Sequence, residues 1–217
     1  MSIVEVKIGY IQIYIFQSNH SLSFVLLSSF GPGPHFVRFT LSIDGYSQNE
    51  SFLLELAPLD IMPHTIHMFL DMAEKKVLNQ GTMILARDHI LVGGPVDAHD
   101  ITNNQELENR MVEIGYFPHG ALLFSEYSPD YPHTQWTFGF NHLGGPIFYF
   151  NLHDNTELHG PNYTDDDGYK EGDPCFAKLV EGVDVITRIL DMSKLEDDSF
   201  ETKIYIVDSE VVQVKEA

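Results

Sequence analysis

Two apolar runs joined by a polar, glycine-containing excursion constrain this chain more than any other feature. The first is Gly144-Gly145-Pro146-Ile147-Phe148-Tyr149-Phe150-Asn151-Leu152, a tight turn feeding a short aromatic strand. The second is Asp173-Pro174-Cys175-Phe176-Ala177-Lys178-Leu179-Val180-Glu181-Gly182, which passes directly into a helical pattern from Val183. Aromatic and β-branched runs this short must bury their side chains against other strands. The rest of the chain supplies them. Residues 36–43 and 51–56 alternate with period two, and Asp44-Gly45 with Ser47-Gln48-Asn49 makes the turn of a hairpin. Residues 81–95 form another strand pair and 203–211 a last one.

Helical spacing occurs in two places. Ile66, Phe69, Leu70 and Ala73 recur along one face after Pro63, which predicts a helix over 63–75, and 183–192 is amphipathic. Period-two strands framing two helices predict a mainly β fold, a closed antiparallel barrel of about eight strands capped by both helices.

The chain has 217 residues, enough for one sizeable core. Its 12 Lys and Arg against 32 Asp and Glu give a formal charge of -20, which repels phosphate backbones and excludes nucleic acid as a partner class. Cys175 is the single cysteine, so no intramolecular disulfide forms, and its apolar setting reads as a small core residue. Sequons at Asn19, Asn49 and Asn162 point toward a secretory lumen, with a cytoplasmic location left open.

Residues 8–37 contain no Asp, Glu, Lys or Arg, but Gln17-Ser18-Asn19-His20-Ser21 divides them. The apolar pieces 11–16 and 22–30 are each too short to cross a bilayer, and both are expected to be strands. No membrane association is evident. Residues 1–34 are therefore expected to form an N-terminal β extension, and 35–217 the main domain. His64 and His67 stand three apart on the first helix, and His153 and His159 flank a polar loop. Neither pair has a third ligand at telling spacing, so no metal and no cofactor is assigned. The acidic run Asp165-Asp166-Asp167 reads as a solvated loop tip. Neither a Gly-x-Ser-x-Gly elbow nor His-Glu-x-x-His is present, which disfavours a hydrolase.

From Phe36 to about Val212, these runs resemble cyclophilins, the β-barrel family of peptidyl-prolyl isomerases. Pro63, Thr65 and Phe69 match the family's Pro-x-Thr-x-x-Asn-Phe opening, and Gly93-Gly94 its paired glycines. Residues 176–185 match its Phe-Gly-Lys-Val-Val-Glu-Gly strand. His133 falls on the family's Leu-x-His-Thr histidine, and Phe138-Gly139-Phe140 on Leu-Ser-Met. Asn141 and His142 fall on the Ala-Asn of the pocket wall. Ile147, Phe148 and Tyr149 replace Gln-Phe-Phe, and Asp173 precedes the closing strand.

The resemblance implies a proline-containing peptide or protein segment as partner. It also implies a substrate-binding face built from Ile90, Val92, Asn141, His142, Ile147 and Tyr149. Val92 stands at the family's glutamine and Ile90 at its methionine. The catalytic arginine's place falls on Ile84 or Leu85. Arg87 is the only arginine nearby and a weak candidate, standing three residues too close to the glycines, where an odd shift along a strand turns the side chain to the other face. The family's Trp-Leu-Asp-Gly-Lys-His pocket segment is not recognisable between 153 and 172.

Isomerisation at proline lowers the barrier to amide rotation, about 18–20 kcal/mol for a general peptide bond and lower at X-Pro. It requires an apolar grip on the ring and a positioned hydrogen-bond donor, with no covalent step. Three readings follow. The chain is a divergent domain whose remodelled pocket binds peptide or protein with weak or no isomerase activity. Alternatively, it is an active isomerase served by Arg87 and assists protein folding. In the third, it is a structural or assembly subunit that makes its contacts through residues 8–30.

Overall fold

The computed structural model describes residues 3–8, 11–16, 30, 33–95, 126–141, 147–161 and 172–212. Strands β1 (Ile3–Ile8) and β2 (Ile11–Phe16) pair antiparallel with each other, Ile3 opposite Phe16 and Ile8 opposite Ile11. The strand expected at 22–30 lies outside the described residues except for Phe30. Among the described residues, no helix is long and apolar enough to cross a membrane.

The main body is a closed antiparallel barrel. Its strands are β3 (Phe36–Ile43), β4 (Glu50–Leu56), β5 (Thr82–Ala86), β6 (Ile90–Gly94), β7 (Thr137–Phe140), β8 (Phe148–Asn151), β9 (Cys175–Glu181) and β10 (Ile204–Val212). Around the barrel they run β10-β3-β4-β9-β7-β8-β6-β5, and Tyr205 opposite Thr82 closes the ring. The period-two reading of β3 is visible as strict alternation, with Val37, Phe39, Leu41 and Ile43 buried and their neighbours half-buried. The expected last strand pair is instead the single strand β10. A bulge between Ile206 and Asp208 interrupts its pairing with β3, and the polar Asp208-Ser209 step there mimics a turn in the sequence.

Helix α1 (Pro63–Glu74) buries Ile66, Phe69, Leu70 and Ala73 on the barrel, as their spacing predicts. Met62, at its N-cap, offers no side-chain hydrogen bond. The carboxylate of Glu126 serves instead, accepting the backbone N–H of His64 at 3.2 Å and of Thr65 at 2.7 Å. Those two donors have no partner within the helix, so an acceptor from a distant segment satisfies them. Helix α2 (Thr156–His159) is a single turn in the loop after β8, and α3 (Val183–Leu190) packs Val185, Ile186 and Ile189 inward. Between β9 and α3, Gly182 has φ +89°, and a Cβ there would stand 2.7 Å from Phe52 Cβ. Only glycine makes that turn without displacing the barrel wall.

The barrel interior is aromatic. Phe39 stacks on Phe52 at 4.8 Å between ring centroids, and Phe138 lies 4.8 Å from Phe148 and 5.1 Å from Phe150. Phe69 of α1 closes one end against Phe176 at 5.0 Å. Offset and edge-on contacts of this kind add to the stabilisation from burial alone.

Candidate functional site

Phe148 and Phe150 point into the aromatic core, so alternation along β8 turns Ile147, Tyr149 and Asn151 to the opposite, outer face. Pairing then lays out a row across the barrel wall: Leu85 opposite Val92, Val92 opposite Tyr149, and Tyr149 opposite Gly139. Ile90 stands opposite Asn151 in the neighbouring row. The structure thus brings Ile90, Val92, Ile147 and Tyr149 onto one face. Ile90, Val92 and Ile147 are half-buried, and Tyr149 is buried. Asn141 is exposed at the end of β7, its N–H bonded to the carbonyl of Ile147 at 2.9 Å. His142 lies outside the described residues.

Arg87 lies beyond the end of β5, in the turn to β6. It is exposed, with its Nε 3.8 Å from Asp198 Oδ2. A bulge between Met83 and Leu85 adds a residue to β5, so side-chain direction does not carry through by simple parity from the paired glycines. Ile84 and Leu85 are both half-buried. The other described arginines also face carboxylates, Arg38 at Glu181 (3.1 Å) and Arg188 at Glu50 (2.8 Å) and Asp184 (3.1 Å).

Tyr149 is the centre of a polar cluster that sequence reading did not assemble. Its hydroxyl donates to Asp173 Oδ2 at 2.8 Å, and the same oxygen lies 3.0 Å from His159 Nδ1. Asp173 stands just ahead of β9, with β7 between it and β8. The crossing is possible because the residue beneath is Gly139, where a Cβ would come within 2.6 Å of the Pro174 carbonyl oxygen. The His159 ring lies over Tyr149 at 4.9 Å, and the fully buried His133 meets Tyr149 edge-on at 6.2 Å.

Neither ring nitrogen of His133 has a partner among the described residues, nor has His159 Nε2. Asn155 ties the loop down by donating to Asn151 Oδ1 at 2.9 Å and to the carbonyl of His89 at 2.8 Å. His89 in turn stacks on His159 at 5.6 Å. The turn of α2 therefore places His159 on this face, in the stretch where no pocket segment was legible.

Burial sets the electrostatics. It raises the Tyr149 hydroxyl well above its ordinary pKa, and Asp173 adds to the effect, so the group is a permanent donor near neutrality. Burial lowers His133 to about 4, with His159 pushing the same way and Asp173 and Asp154 opposing. His89 is lowered by burial and by His159. Cys175, behind this cluster, is fully buried, its Sγ 3.5 Å from the Pro132 carbonyl, and burial pushes its pKa up to about 12. Such a thiol is no nucleophile. Among the described residues, no group of three or more His, Cys, Asp or Glu side chains is arranged to hold a metal ion.

No protein-family model matches the sequence, and no curated protein is similar to it in sequence. Solved structures are similar in fold. A cyclophilin type peptidyl-prolyl cis-trans isomerase from Cryptosporidium parvum matches at TM-score 0.59 and 14% identity, covering 83% of this chain and 99% of that one. The fold is cyclophilin-like. A structure of the same Cryptosporidium enzyme in the presence of the dipeptide Ala-Pro matches at TM-score 0.58 and 13% identity, covering 82% of this chain and 99% of that one. The outer face of the cyclophilin-like barrel carries the apolar row and the Tyr149 cluster together.

Proposed function

We propose that residues 35–217 form a peptide-binding domain that engages proline-containing segments and isomerises them weakly or not at all, with residues 1–34 as an extension. One observation carries this reading. Tyr149 is buried, bonded to Asp173 and covered by His159, on the face where the resemblance puts the proline recess. The chain's own side chains fill that recess. What is left open is the half-buried strip of Ile90, Val92 and Ile147, an apolar surface with the exposed Asn141 at its end.

Where the family carries its arginine, Ile84 and Leu85 cannot hydrogen-bond a twisting amide, and Arg87 is engaged by Asp198. Loss of one preorganised donor lowers a rate by about 10²–10³. The Ala-Pro dipeptide with which the Cryptosporidium protein was solved suggests the ligand class to test.

A chymotrypsin-coupled proline-peptide assay with a cyclosporin arm tests the catalytic half of the proposal. The expected rate is near the uncatalysed one and insensitive to cyclosporin. A rate typical of active cyclophilins, abolished by Arg87→Ala and only partly restored by Arg87→Lys, would establish the active-enzyme alternative. Titration with acetyl-Ala-Pro-amide tests the binding half, with amide shifts expected at Ile90, Val92 and Ile147.

A further inference from the structure

We propose that a second cleft, where β4 runs out, binds a short protein segment that carries a lysine or arginine beside an apolar side chain. The cleft has a volume of about 520 Å³. That is within the range of about 300–1,000 Å³ typical of ligand sites. Pro34, Leu56, Ala57, Leu59 and Tyr131 give it an apolar lining, and Glu55 and Asp60 add two carboxylates. Neither carboxylate has a cation within ion-pair distance among the described residues.

Lys178 is the cross-strand partner of Glu55, but its Nζ sits over the Tyr131 ring, 4.8 Å from the centroid, instead of on the carboxylate. The negative charge of Glu55 helps burial raise the Tyr131 hydroxyl above its ordinary pKa, so that hydroxyl also stays a donor. An apolar recess with a half-buried carboxylate and an exposed one on its wall is built for a ligand that is apolar in part and cationic in part.

The charge of the whole molecule selects the partner. At -20, a second copy would bring the same carboxylates to the same surface, whereas a basic segment is drawn in by the general field and then by Glu55 and Asp60. This cleft is lined by residues other than those of the Tyr149 face, so the inference does not depend on what that face binds.

The test is an amide-shift titration of the full chain with acetyl-Leu-Arg-amide, and with its neutral counterpart acetyl-Leu-Gln-amide. The cationic peptide is expected to produce saturable shifts at Leu56, Ala57, Leu59 and Tyr131. The neutral peptide, and the Glu55→Gln/Asp60→Asn variant, should each bind about fivefold more weakly, the size of two partly screened charge contacts. If the double variant does not fold, Asp60→Asn alone, at an exposed position, should weaken binding about twofold. The proposal is overturned if those residues do not shift, if both peptides bind equally, or if the shifts follow protein concentration without peptide, which would mean a second copy fills the cleft.

Discussion

The hydroxyl of Tyr149 on β8 reaches across β7 to Asp173 at the threshold of β9, a 2.8 Å bond between residues 24 apart in the chain. It lies on the outside of the barrel and is closed off from water by His159 and His133. A donor and a carboxylate paired in such a place hold the outer wall in one arrangement. Tyr149→Phe keeps the ring and removes the bond. It is expected to lower unfolding free energy by about 1–3 kcal/mol, the value of a buried hydrogen bond to a charged acceptor, read from urea melts.

Gly139 is what allows the crossing. Its Cβ would collide with the Pro174 carbonyl, one residue from Asp173, so Gly139→Ala should push the start of β9 away and lose the same bond. The single substitution is expected to destabilise by about 1–3 kcal/mol through overpacking. In a double-mutant cycle with Tyr149→Phe, the double variant should lose less than the sum of the two single losses, because both remove one interaction.

Acid should loosen this wall. His133 has a folded pKa of about 4 against 6.5 for the free side chain, so the unfolded chain takes up its proton first as pH falls. The stability held by neutral His133 is full above pH 6.5 and is lost progressively down to pH 4, about 3 kcal/mol in all. Urea midpoints measured at half-unit pH steps should fall through that window. His133→Phe should flatten the slope there, leaving the smaller contributions of His67 and His89, which burial lowers in the same sense.

Glu126 makes a separate and simpler case. Replacing it with alanine removes both acceptors from the first turn of α1, and a lost N-terminal cap costs about 0.5–2 kcal/mol. Glu126→Gln keeps one acceptor oxygen and should recover part of that loss in thermal melts.

The barrel strands were legible because most have one buried face, and burial writes itself into sequence as alternation. Strand β3 shows this best, and helix α1 shows its own period. Strand β8 is buried along its whole length, so it reads as an aromatic run with no visible direction, and only the interior stacking of Phe148 and Phe150 tells which way Tyr149 points. Helix α2 escaped notice because four residues are too few for any periodicity. The Tyr149 cluster escaped it for another reason. His133, Tyr149, His159 and Asp173 come from separate segments and meet only when the barrel closes, which no local pattern records. A bulge made β10 read as a strand pair, and another along β5 breaks the parity by which the side chain of Arg87 is oriented from sequence.

Cys175 gives the molecule an internal clock. Its thiol is sealed from solvent between β7 and the Pro132 loop, and it is the chain's single sulfhydryl. A thiol reagent such as dithionitrobenzoate should therefore colour only as fast as β9 parts from its neighbours, and each molecule should report once. Labelling is expected to be slow in buffer and complete within the dead time in strong denaturant. Tyr149→Phe, which unties the bond that anchors the start of β9, should speed it before any change in far-ultraviolet signal is seen. A wild-type thiol that reacts at the rate of free cysteine would mean that this part of the wall opens on its own.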